Sequence, residues 1–79
     1  LGWALFKLKN YKEAKKYLEL AIKYMASDPV VNDHYADSLW MNSKKLQARY
    51  YWNYILKLEG TEKKLKKEIE QKLLFGLKI

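Results

Sequence analysis

Asp33, His34 and Asp37 form the one cluster in this sequence whose residue types could do acid–base or metal chemistry. On a helix, a spacing of four puts Asp33 and Asp37 on one face, one turn apart, with His34 at its edge. Two such carboxylates act as acid and base only where a pocket perturbs at least one of them. With a single histidine and no cysteine, the chain lacks an ordinary zinc set. No glycine-rich phosphate loop is present, and no serine, histidine and acid fall into a nucleophilic arrangement. The trio therefore reads as polar surface, with Asp33 favoured near a helix N-terminus. The expectation is no enzyme, no metal and no cofactor.

The elements that would carry such residues must come from a short chain. Seventy-nine residues fit one small domain, and below ~80 residues a single core is thin. No run of ~20 apolar residues occurs, so no membrane-spanning helix is expected, and no signal-peptide pattern opens the chain. The start at Leu1, without methionine, reads as a processed or excised piece. Cytoplasm and bacterial periplasm both stay open. The formal charge of +7 raises the question of nucleic acid or acidic lipid. Its placement is uneven. From Lys44 to Lys67 there are eight basic residues, opposed only by Glu59 and Glu62.

Start and stop signals divide the chain into five predicted helices, at 1–9, 11–26, 29–42, 44–59 and 62–75. Asn10 with Glu13 approximates a capping box. Asp28 followed by Pro29 is an N-cap with proline at the first helical position. Ser43 is placed to cap the fourth helix. Gly60 is placed to end it in the left-handed conformation, with Thr61 capping the fifth. Connections this short make successive helices antiparallel hairpins. The fold class is all-α.

Shifted by 34 residues, the chain matches itself. Leu1 meets Tyr35, Gly2 meets Ala36, Leu5 meets Leu39 and Phe6 meets Trp40. Ala14 meets Ala48, Tyr17 meets Tyr51, Leu18 meets Trp52 and Ile22 meets Leu56. "LGxxL" with "AxxxL", then "YAxxL" with "AxxxW", place a small residue of one helix against a small residue of the next, so the backbones can approach closely. On these residues the chain resembles the tetratricopeptide repeat family, whose helix-turn-helix unit has this period. The segments "LGWALFKLKNYKEA" and "DPVVNDHYADSLW" are similar to the C-terminal end of bacterial multi-repeat members. Departures are Asn32 where a tryptophan is usual, Ile55 at a second small-residue position, and Gly60 where a closing proline is usual. The division that follows is a truncated hairpin at 1–27, a complete hairpin at 28–60 and a capping helix at 61–79. In the cap, Leu65, Ile69 and Leu73 repeat the apolar face of Val31, Tyr35 and Leu39. Glu70 replaces Ala36 there, so no further helix is expected to pack on that side.

The resemblance implies an α-α solenoid acting as a protein-interaction scaffold, with its first helices lining a concave peptide-binding face. Carried over residue by residue, that face holds Trp3, Phe6, Lys7, Val30, Asp33, Asp37, Trp40 and Met41, with Lys64, Lys67 and Gln71 from the cap. The mixed character suits a ligand with a basic or amide group beside apolar side chains. Lys67 is expected to meet Asp33. Tyr17, Tyr51, Trp52 and Phe6 are read as packing. The basic excess falls on outer faces, where lysine usually serves solvation. Association with nucleic acid is the alternative, and a purely structural end-cap is a third reading. The apolar edge of Leu1, Leu5 and Leu8 is expected to favour self-association.

Overall fold

The computed structural model of the protein describes residues 10–77. Four helices run through them: α1 at Tyr11–Tyr24, α2 at Pro29–Met41, α3 at Lys45–Lys57 and α4 at Lys63–Phe75. No strand occurs among the described residues, so the chain is all-helical there. The predicted helix at 1–9, with the Leu1, Leu5 and Leu8 edge, lies outside them. Each helix packs on the next in chain order. Tertiary bonds show the antiparallel sense. Asn42, just past the end of α2, reaches the start of α1, and Arg49 near the start of α3 reaches the end of α4.

The core is Leu18, Tyr35, Ala36, Leu39, Ala48, Trp52, Ile55 and Ile69. Ala14, Ala36 and Ala48 have no exposed surface. The two alanines matched by the 34-residue shift thus both sit where helices touch, while Glu70 in the cap is exposed. Leu18 and Trp52, another matched pair, are both buried. Tyr17 departs from its expected packing role and is 42% exposed, although its counterpart Tyr51 packs on the core.

Helix ends follow the sequence signals in one case and correct them in four. Asp28 caps α2 as expected, its carboxylate accepting from the Val30 and Val31 amides at 2.9 and 3.1 Å. Asn10 makes no side-chain cap bond. Ser43 closes α2 instead of opening α3. It adopts the left-handed conformation (φ 65°), with the Ser43 amide donating to the Trp40 carbonyl and the Lys44 amide to that of Leu39. This is the Schellman closure, more often built on glycine. Gly60 is not left-handed. α3 is finished by Thr61, whose hydroxyl donates to the buried Ile55 carbonyl at 2.8 Å, so Thr61 serves the preceding helix and Glu62 stands at the start of α4 without a cap bond.

Two asparagines fasten α2, one to the turn that follows α1 and one to α1 itself. Asn32 is buried, and its amide donates to the carbonyls of Ala26 and Asp28 at 2.9 and 2.8 Å. At the other end Asn42 donates to Tyr11 and Ser38 carbonyls at 2.9 and 2.7 Å. Asn32, which departs from the repeat pattern, thus locks the turn it follows.

Candidate binding groove along the last helix

Two members of the expected chemical trio, Asp33 and Asp37, turn out to belong to a buried ion cluster with Lys72, while His34 is half-buried. Asp33 and Asp37 are 7% and 4% exposed, which corrects their reading as polar surface. Lys72, from the third turn of α4, donates to Asp33 Oδ1 at 2.9 Å and to both Asp37 oxygens at 3.1 Å. Lys67, the expected partner, is exposed. The offset has a geometric cause. α2 and α4 run in the same sense, and helical side chains lean toward the N-terminus. A long lysine therefore meets aspartates that repeat alignment would pair with an earlier residue.

Two carboxylates sharing one ammonium leave a net negative charge with little solvent around it. Burial pushes the Asp37 carboxyl up, and Asp33 adds to the effect. Lys72 pulls it back only partly, to about 7 from an ordinary 3.8. The Trp52 indole N–H, enclosed and outside hydrogen-bonding geometry, also favours the charged carboxylate. Burial lowers the Lys72 ammonium, but Asp37 and Asp33 outweigh that and hold it above its ordinary value. Both carboxylates face their lysine and are almost fully enclosed.

Trp40 is also largely committed to packing. Its ring lies 5.5 Å from that of Trp52, with Lys45 and Arg49 over it at 5.0 and 5.7 Å. Gly76 comes so close that an added Cβ would stand 2.6 Å from Trp40 Cζ2. Arg49, read as part of the outer basic surface, donates to the Leu73 carbonyl at 2.6 Å. That carbonyl belongs to the last turn of α4, where no intrahelical donor is left. Met41 is half-buried. Trp3, Phe6 and Lys7 lie outside the described residues.

Beside the ion cluster, two hollows run along one flank of α4. One is lined by Pro29, Val30, Lys64, Leu65 and Glu68, the other by Glu68, Gln71, Lys72, Phe75 and Leu77. They meet at Glu68. Their volumes, about 310 and 290 Å³, lie at the small end for small-molecule sites. Each suits one or two side chains of a peptide better than an enclosed ligand. Val30 is 52% and Phe75 69% exposed. Of the expected face, Val30, Lys64 and Gln71 thus line the groove, Asp33 and Asp37 lie behind its Lys72 wall, and Lys67 is outside it. Glu68, Lys72 and Phe75 share one face of α4 by their spacing of four and three. They were missed because the repeat register pointed to Lys64, Lys67 and Gln71 instead, and only the packed helices show which flank of α4 stays open beside Val30.

The exposed lysines Lys44, Lys45, Lys57, Lys63 and Lys67 are scattered over α3, α4 and their approaches. No helix among the described residues is long and apolar enough to cross a membrane. Compared with known proteins, the chain matches no family model, no curated sequence and no solved structure.

Proposed function

We propose that this chain forms tetratricopeptide-like helical hairpins with a capping helix and serves as a non-enzymatic scaffold that binds a peptide segment or partner helix in the groove along α4. The observation that carries the reading is the pair of hollows meeting at Glu68, with partly exposed Val30 and Phe75 on their walls. The buried small residues at the repeat shift and the polar outer face of α4 support the solenoid arrangement. An apolar contact surface set on rigid helices is the usual means of gripping an amphipathic helix or extended peptide. Asp33, Asp37 and Lys72 shape the wall of this groove by fixing α4 on α2.

The test is selection of binders from a phage-displayed random peptide library, followed by titration of the selected peptides. Val30→Ser and Phe75→Ser should weaken them by about tenfold or more, the loss typical of central apolar anchors. Leu20→Ser, on exposed α1 surface, should not. Peptides indifferent to the groove variants would rule the site out. If instead the chain binds single-stranded oligonucleotides, and Lys44→Gln with Lys45→Gln and Lys57→Gln abolishes this with a steep salt dependence, the nucleic-acid reading replaces it.

A further inference from the structure

The groove does not share the positive excess of the whole chain. The protein carries +7, with sixteen basic residues against nine acidic ones. Yet Glu62 and Glu68 on the groove walls stand against Lys64 and Lys72, and Lys72 is taken up by the buried Asp33 and Asp37. The other lysines of α4, at 63, 66 and 67, line neither hollow. Glu68 is exposed, belongs to both hollows, and stands between Val30 and Leu65 on one side and Phe75 and Leu77 on the other.

We propose that the groove along α4 selects a peptide or helix carrying a Lys or Arg side chain between apolar neighbours, with Glu68 as the charge partner and the two hollows taking the apolar groups. This rests on the reading of the groove as a peptide site and narrows it to one ligand chemistry. The ammonium or guanidinium lies over Glu68, and its aliphatic stem crosses apolar wall on the way, as such stems do. An acidic or phosphorylated ligand meets a surplus of carboxylates and is repelled. The basic outer surface would attract such ligands elsewhere on the molecule, so the choice at this place is set by the local Glu62 and Glu68 carboxylates and not by the net charge.

The experiment uses the peptides selected above, sorted by charge, against the wild-type chain, Glu68→Gln and Val30→Ser. Helical content measured by circular dichroism confirms that each variant is folded; Glu68 is on the surface and its neutral isostere removes only charge. The expected result is enrichment of Lys or Arg next to apolar residues. Affinity should fall about fivefold in Glu68→Gln, the upper end for an ion pair that keeps water on one side. It should fall further with added salt in wild type but much less in the variant. Replacing the peptide's basic residue by norleucine should cost the same factor in wild type and nothing in Glu68→Gln. Acidic or neutral peptides that lose affinity in Val30→Ser but not in Glu68→Gln would overturn the charge assignment while leaving the groove as a binding site. Recovery of no groove-dependent peptide would overturn both.

Discussion

Replacing Asp37 by Asn should reverse the pH dependence of this protein's stability. In the folded chain the Asp37 carboxyl is held at about 7, against 3.8 ordinarily. Between those values the folded state keeps a proton that the unfolded state has lost. Asp37 therefore contributes stability that is complete below pH ~4 and disappears as the pH rises through ~7. At about 1.4 kcal/mol per unit, the loss is on the order of 4 kcal/mol, a large fraction of the ~5–15 kcal/mol that holds a domain together. Most acidic groups act in the other direction, so wild-type stability should decline from mildly acidic to neutral pH where acid lability is usual. In Asp37→Asn the amide takes the place of the neutral acid, and Lys72 keeps its 2.9 Å bond to Asp33. The assay is urea unfolding followed by Trp40 and Trp52 fluorescence at several pH values from about 4 to about 8. Subtracting the variant from wild type cancels His34 and the surface carboxylates. A difference that stays constant across this range, or one in which the variant loses ground as pH rises, would refute the account of the buried cluster.

Four further substitutions probe the frame around it. Ser43→Gly should raise the urea midpoint by the equivalent of about 0.5–1 kcal/mol, because glycine adopts the left-handed closure of α2 without steric cost. Thr61→Val should lower stability by about 0.5–1.5 kcal/mol, since the buried Ile55 carbonyl loses the Thr61 hydroxyl and keeps only the Leu58 amide while valine keeps the shape; Gly60→Ala next to it, with open space around it, should be nearly silent. Gly76→Ala should cost about 1–3 kcal/mol and shift Trp40 fluorescence, because the new methyl meets the indole and the backbone there (φ 78°, ψ 176°) is one that only glycine adopts readily. Ala48→Leu should cost about 1–3 kcal/mol by overpacking a fully buried contact, while Ala26→Leu on the exposed turn is tolerated; equal losses would contradict the repeat register.

The helices and their order were legible because their signals are local. Asp28–Pro29 opened α2 where expected, and the small residues at Ala14, Ala36 and Ala48 foretold burial correctly. Helix closure was less legible, since serine in place of glycine at 43 and threonine serving the helix before it are choices made by the neighbouring chain. The site was least legible. Asp33 and Asp37 look like a solvated face until α4 covers them, and α4 has five lysines at 63, 64, 66, 67 and 72. Which of these reaches back depends on how far α4 slides along α2, a property of three packed helices rather than of any spacing in the chain. The packing around Trp40 was hidden for the same reason, because the residue that covers it, Gly76, lies beyond the end of the last helix.

The two asparagines that fasten α2 to α1 and to the turn between them have an uneven consequence for sequence change. Asn32 and Asn42 each spend their amide hydrogens on main-chain carbonyls, and the atoms they hold on the α1 side belong to Ala26 and Tyr11. Every amino acid supplies a carbonyl, so positions 11 and 26 can drift without loosening the fastening. Position 32 or 42 cannot, because even the shift to aspartate exchanges a donor for an acceptor facing another acceptor. Mutational tolerance at these fastenings should therefore be one-sided: permissive at the two positions whose carbonyls are held, strict at the two residues that hold them.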